Sequence, residues 1–204
     1  MRTQQIMVWA AVGIAVMSIA GCRIESDKHG DNNNVKISTP FGGMQVKTDD
    51  SVTLENLGLA AYPGAQAVKH GKDGGPADVN MNFGSFQLRV KVVNYRTGDA
   101  PDKVEAFYRT ELKQLGDVIA CRDGSAVGTP TQTIDGLTCD KEVENHVTVD
   151  NHLSKTGLEL KTGSKLHQHI VEIDADGSGT KFSLVALDLP GKMTSGSEND
   201  DRRQ

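Results

Sequence analysis

Two clusters late in the chain have side chains and spacings that could do chemistry. His167-Gln168-His169 places two imidazoles two positions apart. On a strand, alternate side chains share a face, so the two rings would stand side by side and could offer two ligands to Zn²⁺. A zinc site needs three or four ligands. His146 and His152 are further imidazoles on offer, whereas Glu172 would fall on the opposite face. Asp174-Ala175-Asp176-Gly177-Ser178-Gly179-Thr180 matches a calcium-binding EF-hand loop at positions one, three, five and six. Its twelfth position would be Val185, where a bidentate glutamate is required, and its flanks read as strands. The same Asp and Gly residues also suit a tight hairpin. His167, His169, Asp174, Asp176 and Ser178 are therefore metal candidates without a complete ligand set, and no firm metal site or cofactor is assigned.

Catalytic templates are missing. The chain contains no G-x-S-x-G, H-E-x-x-H, G-x-x-x-x-G-K-[ST] or G-x-G-x-x-G. The reading is a non-enzyme. A hydrolase assembled from dispersed Ser, His and Asp is an alternative that one sequence does not argue for. Lys155, Lys161 and Lys165 form a modest basic stretch, which suits a solvated strand edge that discourages strand addition. Cys121 and Cys139 are far enough apart to close a loop that would stabilise the fold by roughly 3 kcal/mol if bridged. Two unpaired thiols are the other arrangement. Neither lies in a C-x-x-C, which argues against thioredoxin-like redox chemistry.

The third cysteine has a different setting. Met1–Gln5 is polar with one cation, and Ile6–Ala20 is apolar apart from Gly13 and Ser18. That run makes a helix of roughly 22 Å, short of a hydrocarbon core of about 30 Å. A cationic start, a short apolar centre and small residues at the end describe a secretory signal rather than a membrane span. Ile19-Ala20-Gly21-Cys22 resembles the lipobox of bacterial lipoproteins. The resemblance implies that a diacylglyceryl group alkylates the Cys22 thiol, that cleavage follows just before it, and that the new amine is acylated. Two or three acyl chains anchor a protein stably, because each buried CH₂ contributes ~0.8 kcal/mol. An ordinary secreted protein with a cysteine at its cleavage point is the alternative. Arg23 rather than aspartate follows Cys22, which by resemblance to enterobacterial sorting favours the outer over the inner membrane. An exported chain also sits where disulfides persist.

The elements that must position these groups follow from polarity. Val35–Ser38 and Met44–Lys47 alternate around Thr39-Pro40-Phe41-Gly42-Gly43, predicting a β-hairpin. Asp50-Ser51 could cap a short helix through Leu57, and Tyr62-Pro63-Gly64-Ala65 is a turn entering a strand near Gln66–Lys69. Residues 71–77 read as a loop. Phe86, Leu88, Val90 and Val92 alternate with polar residues in the clearest period-two strand. Asp99 before Ala100-Pro101 predicts an N-cap, and Val104, Phe107/Tyr108, Leu112 and Leu115 make one helical face ended by Gly116. Val118–Cys121, Leu137–Val143, Leu158–Lys161, Leu166–Ile173 and Lys181–Leu189 predict further strands, the last two joined across Asp174–Thr180. The fold class expected is α+β, a mostly antiparallel sheet with one principal amphipathic helix packed on one face.

Tyr62-Pro63-Gly64-Ala65, followed by Val104-Glu105-Ala106-Phe107-Tyr108-Arg109 and Leu112 to Gly116, resembles a pattern in uncharacterised bacterial envelope lipoproteins. The resemblance covers roughly residues 57–120. It implies a fold and a cellular setting, and carries no catalytic role.

Composition agrees with this. The 204 residues carry a net charge of −5, which argues against a nucleic-acid partner, and the 37% apolar content excludes a polytopic membrane protein. The expected organisation is a lipoprotein signal peptide over 1–21, a flexible tether over 22–34, one domain over 35–190 and a disordered tail over 191–204. The expected function is a non-catalytic binding or structural module of the bacterial envelope. Its membrane partner would be reached through the lipid on Cys22, and an envelope protein or cell-wall material would be the further partner. A metal- or calcium-binding envelope protein is the alternative.

Overall fold

The computed structural model describes residues 22–29, 32–48, 52, 54, 57–69, 75–139 and 157–191. Among them are eleven strands and one helix: β1 Arg23–His29, β2 Asn32–Thr39, β3 Gly42–Lys47, β4 Gln66–Ala67, β5 Ala77–Phe83, β6 Phe86–Thr97, α1 Pro101–Lys113, β7 Ile119–Arg122, β8 Ser125–Ala126, β9 Leu158–Gly163, β10 His167–Asp176 and β11 Gly179–Asp188. The architecture is largely β. One antiparallel sheet runs in the order β1-β2-β3-β5-β6-β11-β10-β9-β7-β8, with β4 beside the far end of β6.

β6 holds the sheet together because it is long enough to serve two neighbourhoods. Its first half pairs with β5, its last residues pair with β4, and β11 lines its other side from Arg89 to Thr97. Register then sorts the side chains. Val93 and Tyr95 of β6, Phe182 and Leu184 of β11, Val171 and Ile173 of β10, and Leu158 and Leu160 of β9 fall on one face and are buried. α1 covers that face with Val104, Tyr108 and Leu112, each fully buried one turn after the other. Leu57, Leu59 and Tyr62 close the side of this core. The Tyr62 ring meets Phe107 edge-on at 5.2 Å and Phe182 at 6.0 Å, so the Y-P-G-A turn packs directly on the V-x-x-F-Y helix.

Among the described elements, the sheet away from the helix is a single layer. α1 contacts β9, β10 and β11, whereas β1, β2, β3 and β5 touch only one another and β6 among the described elements.

Several expectations are corrected. Residues 22–34 were expected to be a flexible tether, yet Arg23–His29 forms β1 against β2, with Ile24 opposite Ile37. Ladder bonds come from the backbone, so polar side chains do not prevent an edge strand from forming. Ala100, not Asp99, occupies the N-cap and makes no side-chain cap bond. The Asp99 carboxylate instead accepts from Lys103 Nζ at 2.9 Å and Tyr62 Oη at 3.0 Å, and both hold it below its usual pKa. Leu115 lies past the end of the helix and is exposed. Leu137–Cys139 makes one isolated bridge, Gln132 to Thr138, rather than a strand, and 140–143 lie outside the described residues. Asp50 and Ser51 also lie outside them. Leu57 N–H closes a turn on Leu54 O at 2.9 Å. Ala77, which reads as the end of a loop, instead opens β5, and that strand continues through Phe83.

Candidate functional site

β10 carries most of the residues singled out by chemistry. His167 opens it, directly opposite Asp188 of β11, and its Nδ1 lies 2.9 Å from Asp188 Oδ1. Both side chains are exposed, so solvent screens the pair and it contributes little to stability. Ser164 sits beside them, and its Oγ accepts from the N–H groups of Leu166 and His167. That hydroxyl organises the turn into β10. His169 shares the face of His167 but not its surroundings. It lies opposite Thr162 and Ala186, close to Gly58, and is half-buried. Burial lowers its pKa, against the pull of Asp188 and the Leu57 backbone. The two imidazoles thus lie on one face as expected, one wet and one under the segment that closes the core. His146 and His152 lie outside the described residues. Among the described residues no three His, Cys, Asp or Glu side chains gather as a metal-holding group.

The acidic run is a hairpin. Asp174 pairs with Lys181 and Asp176 with Gly179, leaving Gly177-Ser178 as a two-residue connection. Gly177 has φ of +62°, the conformation that the first position of a type II′ turn requires and that glycine adopts without strain. Asp176 Oδ2 lies 3.1 Å from Arg96 Nε of the neighbouring strand. Val185 pairs with Ile170 in mid-ladder. Residues 174–185 therefore run along two paired strands, and Ser178 sits at the turn, not in a twelve-residue loop between helices.

The face opposite the helix holds a group that spacing did not single out for chemistry. Glu172 is 5% exposed, flanked in register by Ser183 and Glu159. Burial, reinforced by Asp174 and Glu159 and opposed by Lys181 and Lys161, pushes its pKa up to about 8. The neighbouring polar groups are bonded to one another. Ser183 Oγ donates to Asn94 Oδ1 at 2.6 Å, Asn94 Nδ2 donates to Gly75 O, and Lys161 Nζ meets Glu159 at 2.8 Å. This row can hold a proton near neutral pH. The sequence signal was one acid inside Ile170-Val171-Glu172-Ile173, an apolar run with a single carboxyl.

The cysteines divide cleanly. Cys121 and Cys139 are bonded, with Cα atoms 5.5 Å apart, and form a small core with Ile119 and Leu137. Cys22 is free and exposed, one residue ahead of β1. Among the described residues no helix is long and apolar enough to cross a membrane. No family model, curated protein or solved structure matches the chain.

Proposed function

We propose that this chain is a lipid-anchored protein of the bacterial envelope. Residues 1–21 direct export and are removed, and Cys22 carries diacylglyceryl and N-acyl groups. The α+β domain that follows acts as a non-catalytic binding or structural module at the membrane surface, with the outer membrane favoured by Arg23. The tetrapeptide Ile19-Ala20-Gly21-Cys22 behind a short apolar run carries this reading. The state of the thiols supports it. Two of the three cysteines are tied to each other, and the remaining one is the exposed Cys22. The partner is another envelope protein or cell-wall material, met by a domain held close to the lipid.

The test is incorporation of labelled fatty acid in bacterial cells, with fractionation. The wild-type chain should take up label and sediment with membranes, and Cys22→Ser should do neither. Equal labelling of the two chains refutes the reading.

A further inference from the structure

The single-layer part of the sheet has two unlike faces. Cross-strand register lines up Ile24, Ile37, Met44, Met81 and Leu88 as one continuous row over β1, β2, β3, β5 and β6. The adjacent row on the other face reads Glu25, Lys36, Gln45, Asn80 and Arg89. A sheet that alternates in this way has an apolar side meant to be covered. No described helix or strand outside the sheet contacts these strands, and within the row Ile24 is exposed while Ile37, Met44, Met81 and Leu88 are half-buried.

The topology also gathers apolar tips at one end of this layer. Arg23 lies opposite Ser38, so Cys22 sits at the end that carries the β2–β3 turn. Gly42 lies opposite Phe83, which brings the β5–β6 turn to the same end. There Phe41 is 84% exposed, Ile24 66% and Phe83 37%. Neighbouring strands are about 4.8 Å apart, so the strands that carry Cys22 and Phe83 lie within about 15 Å of each other. Since β1 begins at Arg23, no length of free chain separates the thiol from the sheet.

The geometry points to a lipid-bilayer docking surface: the apolar face of β1, β2, β3 and β5, led by Phe41, Ile24 and Phe83, lies in the membrane interface beside the acyl chains of Cys22. The occupant is the bilayer because the anchor opens onto this end with no spacer, so acylation alone brings these tips to the lipid. The inference rests on the lipidation proposed above. It makes the lipid an orienting device, leaving the polar face and the helix side turned to the aqueous compartment.

The test uses the chain beginning at Cys22, which contains every described element. Its one free thiol is alkylated with a single-chain tetradecyl maleimide, and the product is mixed with phosphatidylethanolamine–phosphatidylglycerol vesicles. One chain binds only marginally, so extra apolar insertion shows in the partition coefficient. Phe41→Ser should lower that coefficient about tenfold, the effect of one large side chain no longer leaving water. Phe41 is on an exposed turn, and unchanged circular dichroism of the variant checks the fold. Trp9 is the protein's single tryptophan and precedes Cys22, so a new tryptophan reports alone. Phe41→Trp should shift to shorter wavelength and be quenched by lipids brominated in mid-chain. Ser178→Trp, on the exposed β10–β11 turn at the opposite end of the sheet, should not be quenched. Equal partitioning of wild type and Phe41→Ser overturns the inference, as does equal quenching at both positions or at neither. A vesicle-free blue shift of Phe41→Trp that grows with protein concentration assigns the face to a second copy and also overturns it. The acyl chain is attached by chemistry, so these readouts hold whether or not the cell acylates Cys22, which fatty-acid labelling reads separately.

Discussion

Glu172 makes stability fall as pH rises, the reverse of the usual carboxylate. The ordinary reference value is 4.5, and in the fold burial pushes it up to about 8. Below the reference value both the folded and unfolded chains hold the proton, and its contribution is fully present. Between the two values the unfolded chain releases the proton while the folded chain keeps it, so stability drops by about 1.4 kcal/mol per pH unit. Above about 8 both forms are ionised and the loss is complete, at about 5 kcal/mol. Glu172→Gln has nearly the shape of the protonated acid and does not titrate. In urea unfolding it should match wild type within about 1 kcal/mol near pH 5 and exceed it by about 4 kcal/mol near pH 8.5. Among the described residues, two other groups have values lowered by the fold. His169, lowered by burial, adds stability as pH rises toward its unfolded value, and Asp99, lowered by Lys103, acts only in acid. Both are present in both chains, so the difference between chains isolates Glu172. A stability difference that stays the same at the two pH values refutes the argument.

Three further outcomes follow from the packing. Replacing Cys121 and Cys139 together with alanine should cost about 3 kcal/mol, from the loop closed across their sequence separation of 18, read as a lowered midpoint in urea. Thr162 is fully buried, and its Oγ1 has no hydrogen-bond partner among the described residues. Thr162→Val should therefore stabilise by about 1 kcal/mol, seen as a raised Tm; a lowered Tm would show the hydroxyl is satisfied. Tyr108 is fully buried with its hydroxyl donating to Ala60 O at 3.3 Å. Tyr108→Phe should lose about 1 kcal/mol and Tyr108→Ala about 3–5 kcal/mol, and equal losses would show that the ring's packing is not what counts.

Period-two alternation revealed β6 from Phe86, Leu88, Val90 and Val92, and helical spacing revealed α1 from Val104, Tyr108 and Leu112. Those patterns are legible because burying one side of an element imposes its own period on the residues. β1 was missed because an edge strand is held by backbone pairing, and Arg23–His29 has only Ile24 to mark a face. The N-cap was displaced by one residue because the Asp99 carboxylate found Lys103 and Tyr62, the latter a partner from far away in sequence.

For the chemical groups the division is similar. Sequence alone determined that Cys22 stands at the end of a short apolar run behind Ala20-Gly21, and that His167 and His169 share a face if they lie on a strand. Both statements are local, and neither needs the fold. Only the tertiary structure decided that Cys121 and Cys139 meet, that one histidine is half-buried while the other pairs with Asp188, and that Glu172 faces Ser183 and Glu159 away from water. It alone decided that Cys22, Phe41 and Phe83 share one end of the sheet. Those relations depend on strand order and register, which are set by long-range pairing, and a one-residue slip would send each of these side chains to the opposite face.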